Sequence, residues 1–320
     1  AVYLGLSLGP FLGGVLTQYL GWRSIFFVNV PLGACVVLLT VQKLKGEWIE
    51  AAGERFDLFG SVIYGLALVS TIYGLTSLPS SAGAAYLLLG IAGVITFGVV
   101  ELRSNSPVLD VRLFRENRVF ALSNLAALIN YGATFAVAFV LTLYLQTVKG
   151  LSPLQAGFIL VAQPAVQTVL SPWAGKLSDR IEAQVVASVG MGITALGLLL
   201  LAYSIDYDTS LPSIVAVLGL LGLGFAFFSS PNTNAIMSSV EKRYYGVASG
   251  MVGTMRSIGM MTSMAIAMTS LSIFMGRVQV TPEVYPQFLE SMTSILSVFV
   301  ILCIVGVFAS LSRGKVRKAE

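Results

Sequence analysis

Runs of about twenty apolar residues recur along the whole chain, with links of only a few residues between them. Each run is long enough to cross the hydrocarbon core of a bilayer. Ten spans can be read: 1–20, 24–42, 57–77, 84–102, 119–147, 154–174, 183–204, 212–238, 247–275 and 287–311. The links are polar or carry Pro and Gly, as in GWR, SLPSSAG, KGLSP and DYDTSLP. Of the 320 residues 56% are hydrophobic and only 11% charged, whereas soluble domains carry about a quarter charged residues. No water-soluble fold of this size hides so much apolar surface. The predicted fold class is an all-α polytopic membrane protein.

The charges are distributed unevenly. Alternate loops hold Lys43, Lys45 and Arg55; Arg103, Arg112, Arg115 and Arg118; Lys176 and Arg180; Lys242 and Arg243; and Arg313, Lys315, Arg317 and Lys318. The opposite loops hold only Arg23, Lys149 and Arg277, and Arg256 is left inside a span. This asymmetry follows the positive-inside rule and predicts a cytoplasmic C-terminus. The net charge of +4 therefore reflects topology and points to no nucleic-acid partner. The tail RGKVRK reads as a topology anchor or a lipid-binding patch. The stretch RSNSPVLDVRLFRENR reads as a connection between bundles or a short surface helix.

Cys35 and Cys303 lie inside spans and read as small apolar residues rather than a disulfide or metal pair. The chain has no His, which removes zinc sites and His-based acid–base catalysis. With no intramembrane acid pair and no nucleophile–base arrangement, neither an enzyme nor a cofactor is expected.

The stretch GLSLGPFLGGVL is unusual for its glycines. Gly5, Gly9 and Gly13 recur every four residues and share one helix face, which Gly14 widens. Such a face lets another helix approach closely, and Pro10 removes a backbone hydrogen bond and bends the helix. A static helix contact would use the same pattern. The combination G-x-x-x-G-P-x-x-G-G, however, resembles the fifth-helix signature of antiporters of the major facilitator superfamily. The following GWRSIFFVNVPLG, Gly21 to Gly33, resembles the helix-five to helix-six junction of the fourteen-helix drug–proton antiporters, the EmrB/QacA group.

That resemblance implies that four helices would precede Ala1, so that the chain is expected to be an N-terminally truncated piece with about ten of fourteen helices. Residues 1–42 would end the N-terminal six-helix bundle. Residues 43–118 would hold the extra two-helix insertion and its connections, and 119–320 the complete C-terminal bundle with its basic tail. The segment GKLSDR resembles the superfamily's Gly-Asp-Arg loop, with Gly175 allowing a tight turn and Asp179 and Arg180 latching the cytoplasmic face. An ordinary polar loop would look the same. LYLQTVKGLSPLQAGFILVAQP, SPNTNAIMSSV and GVASGMVGTMRSIG extend the likeness. It departs at GMMTSMAIA, where Met260, Met261 and Met264 replace small residues.

Arg256 is the one strongly charged residue well inside a span, about 13 Å along its helix from Val247 at 1.5 Å per residue. Burying it costs at least about 2.5 kcal/mol, so it needs a partner: an acidic group on another helix, or water reached by snorkelling. Asn124, Asn130, Gln146, Gln163, Gln167, Asn232 and Asn234 are candidates to line a polar cavity, or serve as interhelical glue. Pro164, Pro172 and Pro231 are expected to break helices beside them. Tyr131, Tyr144, Phe227 and Phe228 could meet flat apolar solutes. No Asp or Glu lies at mid-depth; Asp57, Glu101 and Glu290 sit near span ends. In the resembling group an acidic residue of the first helix and an arginine of the fourth are implicated in coupling, and both would lie outside this chain.

The resulting expectation is a multi-pass protein of the plasma or inner membrane, monomeric, whose partners are lipid, protons and a small-molecule substrate. Its function would be proton-coupled export of amphipathic drugs or toxic compounds by alternating access. A facilitator for a metabolite such as a sugar or siderophore, or a non-transporting receptor or scaffold, is the alternative. The glycine face of 1–20 is expected to pack against the second bundle, so that Gly13→Leu would disrupt packing and cause proton leak.

Overall fold

The computed structural model describes residues 2–43, 57–104, 109, 111–276 and 280–314, with side chains in the first helix described at Gly9 and from Leu12 onward. Lys45, Arg55, Arg277, Lys315, Arg317 and Lys318 lie outside the described residues, as do the side chains at Gly5 and Pro10. Every regular element among them is helical. The helices are α1 (Val2–Leu20), α2 (Ser24–Lys43), α3 (Leu58–Thr76), α4 (Ser81–Glu101), the short α5 (Arg112–Glu116), α6 (Arg118–Leu143), α7 (Pro153–Leu160), α8 (Ala162–Arg180), α9 (Ala183–Ser204), α10 (Leu211–Ser238), α11 (Tyr245–Met275) and α12 (Tyr285–Ser312). A π-helical turn, Tyr144–Val148, prolongs α6. Nine helical stretches among the described residues are long and apolar enough to cross a membrane, and α1 is a further helix of 19 residues.

The expected span 154–174 differs most from the structure. It is two helices, α7 and α8, interrupted at Val161. Ser152 caps α7 through a reciprocal box with Gln155, and Pro153 follows at the first helical position. Pro164 lacks the N–H that would bond the carbonyl of Leu160, which is where α7 stops. Pro172 and Pro231, by contrast, sit within continuous helices α8 and α10 and break neither. At its far end α8 runs on to Arg180. The expected loop at GKLSDR is therefore helix: Gly175 makes no turn, and the chain reverses at Ile181–Glu182 instead. Hydropathy marks where the apolar stretch ends, and a helix is free to continue past it into polar residues.

The core lies between α6, α9, α10 and α12. Phe288, Met292, Ile295 and Phe299 of α12 bury themselves among Val137, Val140 and Leu141 of α6, Leu198 and Leu201 of α9, and Ile214 and Leu218 of α10. Helix α11 packs along α6. Small residues bring helices together where lipid gives no hydrophobic drive. Gly190 of α9 lies directly against the backbone of α10.

Helices α3 and α4 pack on each other and rest against α11 through a 2.7 Å hydrogen bond between Tyr64 Oη and Thr254 Oγ1. Asp57 caps α3 by accepting from the Gly60 amide at 2.7 Å. Glu101, at the end of α4, is buried and accepts from the Leu109 amide. Helix α1 lies on α7 and α8, whereas α2 buries none of its residues.

Candidate functional site

A cavity of about 920 Å³ opens between α1, α6, α7, α8, α10 and α11. Each wall is a helix face read at its natural period. From α6 come Tyr131, Thr134, Phe135, Ala138 and Thr142; from α10 come Phe225, Ser229 and Thr233. These are i, i+3, i+4 and i+7 neighbours. Gln163 and Gln167 enter beside the α7–α8 break, and Asn234 and Arg256 close the end nearer the basic loops. The lining is thus aromatic rings, amides and hydroxyls around one cation, with no carboxylate among the described residues.

Tyr131, Gln163, Gln167, Asn234 and Arg256 meet at this cavity; Asn130, Phe227 and Asn232 do not. Phe227 is two positions from Phe225 along α10, which turns it onto another face. Asn232 is buried, donates from Nδ2 to the Ser123 carbonyl at 3.0 Å and accepts from Arg313 Nη1 at 2.6 Å. It ties helices together. Asn130 is fully buried, and neither of its side-chain amide atoms has a hydrogen-bond partner. The stripe Phe225, Ser229, Thr233 was missed in the sequence because none of the three stands out by type. Its four-residue spacing carries the signal.

Arg256 points its guanidinium at the ring of Tyr131, 5.5 Å from the centroid. That ring in turn meets Phe225 edge-on at 6.0 Å. The expected acidic partner is absent among the described residues. The π face of Tyr131 takes its place, and Arg256 Nε is buried with no hydrogen-bond partner. Arg256 and Thr233 also border a second cavity of about 320 Å³, lined by Ser249, Gly253 and Ser257 on the side toward the start of α11.

The glycine face divides in two. Gly14 is buried, and a Cβ there would lie 3.0 Å from the Pro153 carbonyl oxygen and 3.3 Å from Leu154 Cα. Gly9 and Gly13 line the cavity, and a Cβ on either would meet nothing within 4 Å. The expected close packing at Gly13 is therefore found one residue later. Gly14→Val is expected to push α1 off α7 and lower the midpoint of thermal unfolding in detergent. Gly13→Ala should leave that midpoint unchanged and only narrow the cavity.

At the opposite end from the α7 cap, Asp179 and Arg180 lie exposed on the last turn of α8. Arg313, counted in the sequence with the exposed basic tail, is instead only 1% exposed. Its Nη1 donates to Ser123 Oγ at 3.0 Å as well as to Asn232.

The comparisons with known proteins agree with this architecture. The family model described as Major Facilitator Superfamily matches residues 1–264 and, separately, 123–318. The multidrug resistance protein Stp of Mycobacterium tuberculosis is 32% identical over 278 residues, covering 85% of this chain and 51% of Stp. The riboflavin transporter RibZ of Clostridioides difficile is 30% identical over 260 residues, 80% of this chain and 56% of RibZ. The methylenomycin A resistance protein of Bacillus subtilis is 28% identical over 265 residues, 81% and 56% of the two chains. The chain spans about half the length of the curated relatives it matches. With a helical fold of membrane-spanning length and a family match across nearly all of its residues, the chain belongs to the Major Facilitator Superfamily.

Proposed function

We propose that these residues serve a secondary exporter of amphipathic organic compounds in the plasma membrane, with its C-terminus in the cytoplasm. The observation that carries this reading is the cavity. Its 920 Å³ is lined by rings for flat apolar bodies and by amides and hydroxyls that fix orientation. Relatives named for drug resistance support the substrate class. The α3–α4 pair, standing between α2 and α6, supports the fourteen-helix drug–proton antiporter group. Alternating access would rock α1 against α7 and α8 around the cavity, with Asp179 and Arg180 at the cytoplasmic rim. Proton exchange would drive it, using a carboxylate outside the described lining. One relative's name, a riboflavin transporter, favours a second reading in which the solute is a ring-bearing metabolite.

The test is accumulation of aromatic drugs by cells with the corresponding gene deleted and restored. Deletion should raise accumulation several-fold and restoration reverse it. Unchanged accumulation together with a changed content of an aromatic metabolite would favour the second reading. In proteoliposomes the 320-residue chain is expected to bind solute without exchanging it for protons. Coupled exchange there would place the proton carrier within these residues.

A further inference from the structure

Arg256 gives the cavity a sign. Among the described residues it is the one charged side chain of the lining, and no carboxylate borders either cavity that it touches. Its guanidinium is held over Tyr131 rather than spent on an ion pair, and its Nε has no partner although it is buried. Arg256 as a whole is half-buried and lines the cavity, so the other N–H groups of its guanidinium can meet a ligand carboxylate, an acceptor that the described lining does not supply. The side-chain amide of Asn234 stands on the α10 wall as a further donor.

The same arrangement disfavours cations. A ligand ammonium is usually attracted to the face of an aromatic ring, but at Tyr131 that position is already taken by the arginine. An ammonium entering the cavity would meet a like charge in a medium of low dielectric. Phe225 and Phe135 remain to receive a flat hydrocarbon body. Resting on the transporter reading above, we infer that the site selects organic anions, aromatic acids whose carboxylate is held by Arg256, over cationic amphiphiles of the same size. The fork of the guanidinium suits two carboxylate oxygens at once.

The inference is tested by equilibrium dialysis of the purified chain against 2-naphthoate and 2-naphthyl-trimethylammonium. Naphthoate is expected to bind at least tenfold more tightly. Replacing naphthoate by the neutral 2-naphthamide, which keeps the ring and removes the charge, should erase its advantage at an unchanged pH. Arg256→Gln should bring the two affinities together, while Arg256→Lys, which keeps the charge, should retain part of the preference. Equal or tighter binding of the ammonium probe, or an unchanged ratio in Arg256→Gln, overturns the inference. Efflux of both probes from cells separates the two levels. Export of the ammonium probe alone removes the anion preference and leaves an exporter. Anion-selective binding with no change in accumulation on gene deletion removes the exporter and leaves the anion site.

Discussion

Gly190→Val is expected to cost about 3 kcal/mol of folding stability, while Gly192→Val, two residues further along α9, should cost almost nothing. A Cβ at position 190 would lie 2.5 Å from the Phe228 amide nitrogen, 2.6 Å from the Phe227 carbonyl carbon and 2.7 Å from the Gly224 carbonyl oxygen. All three are backbone atoms of α10, so no side chain can rotate away to make room. The helices must separate, and Leu198 of α9 and Leu218 of α10, which belong to one core cluster, would lose packing with them. Gly192 faces outward and has nothing within 4 Å. The two substitutions share residue type and helix, so the difference between them isolates the crossing. Thermal or denaturant unfolding in detergent micelles would measure it. Equal midpoints for the two variants would mean that the α9–α10 contact tolerates separation.

How much of this was legible in the sequence depends on what each feature rests on. Helix number and approximate placement follow from apolar length, which bilayer thickness fixes. The ends do not follow, because a helix such as α8 carries on into Lys176–Arg180 after the apolar stretch stops. Helix-breaking by proline was overread. Only Pro164 coincides with a break, whereas Pro172 and Pro231 are absorbed within helices. Buried amides were legible as a class, but which of them share a cavity depends on rotation about each helix axis. Gln163, Gln167 and Asn234 turn inward to the cavity, and Asn232, only two residues from Asn234, turns to Arg313. Arg256 was visible as an anomaly of depth, while its aromatic partner lies 125 positions earlier in sequence and needed the fold. Arg313 was hidden by its neighbours, since a basic run reads as solvated. A subtler signal was present: Phe299, Cys303, Gly306 and Ser310 form the buried stripe of α12, and Arg313 is its next position.

Arg313→Ala is expected to destabilise the fold by about 3 kcal/mol, and Arg313→Met by much less. The guanidinium joins three helices: it donates to Ser123 of α6 at 3.0 Å and Asn232 of α10 at 2.6 Å from the end of α12. Asn232 closes the triangle by donating to the Ser123 carbonyl. Either substitution leaves the Asn232 oxygen without its donor, and alanine in addition opens a void where a large side chain had been. Methionine restores most of the volume and removes a burden the arginine carries, because Arg313 Nε and Nη2 are buried without partners. Burial also draws the arginine's pKa down to about 10, against the opposing pull of Glu182. A base lowered in the folded state loses its proton there before it does so unfolded, so stability should rise only as pH climbs above about 10. Below that both states are protonated, and the wild-type unfolding midpoint should not respond to this group between about pH 6 and about pH 8. The cation is therefore a fixed strut rather than a pH switch. Unfolding of the three proteins at neutral pH measures the order wild type, Met, Ala. Equal losses in Met and Ala would assign the stability to the hydrogen-bonded charge instead of to the filled volume.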